Sequence, residues 1–194
     1  MSLRRLSLRC LGPRGPRAWS VLLVCLLLSA CGSERAATPE DQGRARALAL
    51  VNQLRDAGLP VEDIVVCTSP APAPAGHSRP PAVAFDDSRI ATGANRHVVR
   101  EGGVVEVYDS AEQAQSRVRE LVAQTLVAQE YGFDEGGHAI SAEGRFPVGS
   151  VLLRLSGALP GEATQKYVAA LKKAPEAAPD ISLLDNALEA PCST

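Results

Sequence analysis

Three histidines, an acidic doublet and an acidic glycine-rich segment are the places where this 194-residue chain could carry chemistry. Asp86-Asp87, with Arg89 beside it, could serve as a carboxylate pair for proton transfer or cation binding. Adjacent residues of a strand point to opposite faces, which separates the two carboxyls, so a solvated turn is the expected setting. Asp134-Glu135-Gly136-Gly137-His138 lies in a long polar stretch. Long loops in compact domains are often functional, which makes Asp134, Glu135 and His138 the candidate ligand-binding residues, with a plain hydrophilic loop as the competing reading. His77, His97 and His138 have no metal-ligating neighbour at i+4, so solvated imidazoles and no metal or other cofactor are expected. No nucleophile elbow, phosphate loop, paired Cys/His spacing or calcium loop is present, and no catalytic residue is expected.

The cysteines say more. The first 30 residues hold five arginines and no acid, then an apolar run from Val21 to Leu28, and end in Leu28-Ser29-Ala30 before Cys31. The apolar run falls well short of the roughly 20 residues a membrane span needs. Residues 1–30 therefore resemble a bacterial lipoprotein signal peptide, in which the cysteine thiol receives a diacylglyceryl group and becomes the first residue after cleavage. An uncleaved anchor helix is the alternative. Arg4-Arg5 with Leu8 weakly resembles a twin-arginine export signal, but tandem arginines are ordinary at such a start, and the general secretory route is expected. The expected location is the outer face of the bacterial cytoplasmic membrane, with the bilayer as a partner through the lipid on Cys31. Cys10 and Cys25 leave with the signal, so Cys67 and Cys192 remain in an oxidising compartment and read as a disulfide. Two free buried thiols are the alternative, because sequence does not place their Cα atoms within the ~7 Å a bridge needs.

Without residues 1–30 the chain has 15 basic residues against 22 acidic, a formal charge of −7. That balance argues against nucleic acid as a charge-driven partner. Its six aromatics, Phe85, Tyr108, Tyr131, Phe133, Phe146 and Tyr167, are too few for a stacking platform. The size suits one domain with flanking segments.

Thr38, Pro39, Glu40 and Asp41 read as a helix start, and Ala47, Leu50, Leu54 and Ala57 recur at helical spacing up to the stop at Gly58. Ile64 to Cys67 reads as a buried strand, and the proline-rich Thr68 to Pro81 as a surface loop. Val83 and Phe85 begin a second strand that ends near Asp87. Gly102-Gly103 reads as a hairpin turn between Val98-Val99 and Val104–Tyr108, which leaves open whether Val83–Ile90 or Arg96–Arg100 pairs with the latter. Ser110 and Gln113 form a capping box opening a helix to about Glu130, with Ala114, Val118, Leu121, Val122 and Leu126 on its apolar face. Tyr131 to Gly149 reads as a loop and Val151 to Leu155 as a fourth strand. Pro160 opens a third helix, and Ile181, Leu184 and Leu188 give a short docked turn. The expected fold is α+β: a small mixed or antiparallel sheet of three to four strands against three helices in two layers. The expected organisation is a signal over 1–30, a lipidated tether and helix start over 31–42, the α+β domain over 43–173, and a disulfide-docked tail over 174–194.

Leu54-Arg55-Asp56-Ala57-Gly58-Leu59-Pro60, the segment Val104 to Ala111 and Val151-Leu152-Leu153-Arg154-Leu155-Ser156-Gly157 resemble three blocks of a group of small secreted or lipid-anchored actinobacterial proteins. Pro160-Gly161 departs from that group's Thr-Pro helix start, so the last helix should be less well capped. The blocks are packing and capping patterns, and the resemblance implies a fold and a location without a chemistry. The expected function is a non-enzymatic, membrane-anchored binding or accessory module contacting a protein or cell-wall partner. A small-ligand-binding lipoprotein is the first alternative and a hydrolase the second.

Overall fold

Local sequence dictates the first helix closely. In the computed structural model, which describes residues 37–68, 80–90, 99–131, 143–174 and 180–192, helix α1 spans Pro39–Asp56. The Thr38 hydroxyl accepts from the Asp41 backbone N–H at 3.1 Å while the Asp41 carboxylate accepts from the Thr38 N–H at 3.0 Å. Pro39 has no N–H to satisfy, and two of the three orphan donors left at the helix start are thereby satisfied. Gly58 ends the turn at φ +80°, a region closed to most side chains.

The remaining elements are β1 (Val61–Thr68), β2 (Ala82–Asp87), β3 (Gly102–Val107), α2 (Ala111–Tyr131), β4 (Glu143–Val148), β5 (Val151–Ser156), α3 (Gly161–Lys173) and β6 (Leu188–Pro191). Short 3-10 segments cover Val99–Glu101 and Ile181–Asn186. The class is α+β, as expected, but the sheet has six strands in the order β4-β5-β3-β2-β1-β6 rather than three or four. It is mixed: β6 runs parallel to β1 and every other pair is antiparallel. Val83 faces Val105, so the pairing left open in the sequence is between β2 and β3.

Two strands were hidden in segments without a strong apolar signal. Glu143-Gly144-Arg145-Phe146-Pro147-Val148 reads as loop because its polar residues are charged and its glycine and proline are strand breakers, yet it forms an edge strand. Leu188-Glu189-Ala190-Pro191 is only four residues long. Its place is fixed from outside, by pairing with β1 and by the Cys67–Cys192 disulfide, whose Cα atoms are 5.2 Å apart.

The layering also differs from the expected two. Val66, Val83, Phe85, Val105, Leu153 and Leu155 form one sheet face and pack against Val51 and Leu54 of α1 and Tyr167 and Leu171 of α3. Alternation sends Glu106, Leu152 and Arg154 to the opposite face, where α2 meets β4 and β5. On that face α2 covers β4 and β5, and Val99 of the 3-10 segment packs with Val65, Ala82, Ala84 and Val104, so both faces are covered and every residue of β2, β3 and β5 is buried. On α2 only part of the expected apolar face is used. Ala114 and Leu121 are buried, but Val122 is 43% exposed and Leu126 61%.

Gly102-Gly103 is not a turn. Both residues lie inside β3, and a side chain on Gly102 would run into the Phe85 carbonyl, while one on Gly103 would come within 2.8 Å of the Arg154 carbonyl oxygen. The glycines permit close strand approach at the point where β2, β3 and β5 meet. The true two-residue turn is Gly149-Ser150, with Val148 facing Val151 and Gly149 at φ +57°. Gly at the first position is what a type II′ hairpin requires. Closing that turn with a hydrogen-bonded pair puts the backbone of Pro147 on the open side of β4, where proline deprives the free edge of a donor.

The bridge spans 125 residues of sequence, and closing a loop of that length removes denatured-state entropy equivalent to about 4 to 5 kcal/mol, with measured effects of about 2 to 5. A Cys67→Ser/Cys192→Ser chain should lose about 2 to 5 kcal/mol in urea unfolding. Equal midpoints for the two chains would show that β6 docks without help from the bridge.

Candidate functional site

The residues expected to do chemistry divide sharply. Asp134, Glu135 and His138, with His77 and His97, lie outside the described residues, as does Cys31. Asp86 and Asp87 are separated onto opposite faces, as the strand rule requires. They are not in a solvated turn, however, because Asp86 is 2% and Asp87 0% exposed.

Asp87 is the centre of a small lock on the α1/α3 face. Its carboxylate accepts from Arg89 Nε at 2.8 Å, from the Arg89 backbone N–H at 3.0 Å and from the Tyr167 hydroxyl at 2.8 Å. Tyr167 stacks on Phe85 with ring centroids 5.6 Å apart, and Arg89 lies over its ring. This ties α3 to the end of β2. Burial alone would raise the Asp87 pKa, but the bonds from Arg89 and Tyr167 together outweigh it and hold the carboxyl below its ordinary 3.8. Burial, and then the neighbouring carboxylate, push the Tyr167 hydroxyl well above its ordinary range.

A second network occupies the other face, under α2. Arg154 donates from Nη1 to Glu106 at 2.9 Å and from Nη2 to Glu143 at 2.8 Å, so one guanidinium bridges β3, β5 and β4. Glu143 also accepts from Arg145 Nε at 2.5 Å, and Arg145 Nη2 reaches the Thr125 hydroxyl of α2 at 2.6 Å. The second oxygen of Glu106 accepts from Tyr108 at 2.6 Å and lies 3.8 Å from Arg117 Nε. The segment Val151 to Leu155 reads as a strand in sequence, with no role evident for Arg154. The missed signal was the matching charge, Glu106, on a strand of almost unbroken apolar character. Burial opposes ionisation of Glu143, but Arg154 and then Arg145 prevail and lower its pKa. Burial likewise disfavours the charged Arg154, and its two glutamates reverse that.

The titration directions define what the two networks can do. General acid–base catalysis at neutral pH works best with groups tuned toward 7. Here Asp87 and Glu143 move down, and Tyr108 and Tyr167 move up, so each group is held further into one protonation state. Among the described residues no group of three or more His, Cys, Asp and Glu is placed to hold a metal ion.

The open feature lies elsewhere. A cleft of about 150 Å³ is bounded by α1 at Arg46, Leu50 and Gln53, by the Gly149-Ser150 turn, and by Lys172 near the end of α3. Gly149 leaves its rim open, with no atom within 4 Å of the place a side chain would occupy.

Comparison of the chain with protein-family models, curated proteins and solved structures finds no match. The actinobacterial resemblance accordingly rests on its three sequence blocks alone.

Two outcomes follow from the Asp87 and Glu143 environments. Tyr167→Phe removes a hydrogen bond to a charged group and should cost about 1.5 to 3 kcal/mol in urea unfolding, whereas a loss under about 0.5 would show that Arg89 alone suffices. Both carboxyls have folded pKa values below their unfolded ones, so the unfolded chain binds more protons in the acidic window. Their contribution is therefore complete above about pH 5 and is lost as pH falls through the ordinary values of 3.8 and 4.5 toward the lowered folded ones. Glu143→Gln should flatten that acid limb; an unchanged slope would remove Glu143 from the account.

Proposed function

We propose that the protein is a lipid-anchored extracytoplasmic accessory module, held through Cys31 on the outer face of a bacterial cytoplasmic membrane, that works by binding a protein or cell-wall partner rather than by catalysis. The observation that carries the location is the Cys67–Cys192 bridge. Structural disulfides persist in oxidising compartments and are rare in the cytosol, so a bridge that holds the last strand supports a place outside the cytosol. Among the described residues no helix is long and apolar enough to cross a membrane. One acyl chain binds a bilayer only marginally, with an association constant of about 10⁴ M⁻¹, and the two chains of a diacylglyceryl group on Cys31 provide the stable hold.

The accessory reading draws on the charged networks. Their carboxylates and guanidiniums are engaged with one another across strands and helices, and their protonation states are fixed away from neutrality, which suits a rigid scaffold better than a reaction centre. The cleft beside Lys172 favours a second reading, a small-ligand-binding lipoprotein, with the same anchor and the same fold.

Metabolic labelling with fatty acid, followed by membrane fractionation, tests the anchor. The intact chain should carry the label and sediment with membranes, and Cys31→Ser should lose the label and leave the membrane fraction or remain unprocessed. Equal labelling of the two chains, or none on the intact one, would refute lipidation.

A further inference from the structure

We propose that the cleft between α1, the β4–β5 turn and the end of α3 binds a small carboxylate that carries an adjacent amide N–H and a methyl-sized apolar group, the chemistry of an N-acyl amino acid or the end of a short peptide. The charge of the lining is the first reason. Arg46 and Lys172 border the cleft and no acidic residue does, although the chain as a whole has a formal charge of −2. Lys172 is exposed at the rim, so its ammonium can reach an anion entering from solvent.

An orphan acceptor is the second. The Gln53 side-chain oxygen is screened from water and accepts no hydrogen bond among the described residues. A buried amide oxygen without a donor is costly, and because Gln53 lines the cleft, turning its amide lets a ligand N–H meet that oxygen there. A ligand with carboxylate and N–H side by side answers both groups at once. Ser150 offers a further hydroxyl at the mouth, and Leu50 and Leu171 give an apolar wall.

Size completes the argument. At about 150 Å³ the cleft falls below the roughly 300 to 1,000 Å³ of drug-sized and cofactor-sized sites, and it suits one terminal residue. The assignment is independent of the lipid anchor, since it uses only α1, α3 and the turn.

Amide shifts of the full chain in detergent micelles, titrated with N-acetyl-L-alanine, N-acetyl-D-alanine and neutral N-acetyl-L-alaninamide, test it. At least one acid should give saturable shifts at Gly149, Ser150 and Lys172, with a Kd on the order of 1 to 10 mM, as few contacts allow. The amide, and the acids on Lys172→Glu, should bind at least several-fold more weakly. A preference for the L form points to a protein or peptide end and one for the D form to a cell-wall peptide end. No saturable shift with either acid up to about 50 mM, or equal binding of acid and amide, would overturn the proposal.

Discussion

Arg154 is buried in the middle of a sheet covered by helices on both sides, and it must be neutralised there. Taking a charge out of water costs several kcal/mol unless opposite charge and hydrogen bonds await it. Glu106 and Glu143 meet that need only if β3, β5 and β4 lie in one register, because a slip of one residue would send each side chain to the other face. The same slip would drive Val105, Leu153 and Leu155 out of the α1/α3 core. Apolar packing on one face and charge pairing on the other thus specify a single alignment. Gly102-Gly103 makes that alignment sterically feasible, and Thr125 extends it to α2 through Arg145.

The far side of the sheet is held by different means. After α3 the chain returns through the Ile181–Asn186 segment, which packs on α1, to lay β6 parallel to β1. A four-residue edge strand with an exposed Leu188 buries little apolar surface of its own. The Cys67–Cys192 bridge supplies the missing hold. Both sheet edges are protected against pairing with another chain, β4 by Pro147 and β6 by its brevity and Pro191.

Local signals were legible in the sequence and long-range ones were not. The α1 start at Thr38 and Pro39, the Gly58 stop, the α2 start at Ser110 and the cysteine pair all follow from short-range chemistry and arithmetic. At α2 the cap differs only in detail: Ser110 accepts from Gln113, but the Gln113 side chain accepts from Asp109 rather than from the cap residue. Pro160 makes no side-chain cap, as its departure from the resembling group suggested. What failed had non-local causes. A strand of Glu, Arg, Phe and Pro is stable only beside β5, and a glycine pair means close approach instead of a turn only when Phe85 stands opposite. Asp87 reads as a surface residue until Tyr167, 80 positions later, is brought onto it. The cleft was not visible at all, since its α1 wall at Arg46 to Gln53 lies far in sequence from the walls at Gly149-Ser150 and Lys172.

Among the described residues the buried ionisable groups serve structure, and a small cleft beside Lys172 stays open. Central among those groups, the Glu106–Arg154 pair fixes the register of the sheet. A double-mutant cycle by urea unfolding, with Glu106→Gln, Arg154→Met and the combination, measures it most directly. Each single change should cost about 3 to 5 kcal/mol, because it leaves a buried charge without its direct partner across β3 and β5, while the double change should cost at least about 2 kcal/mol less than their sum. Additivity within about 0.5 kcal/mol would contradict the account, showing that the two residues act independently and that the register is set by the apolar face alone.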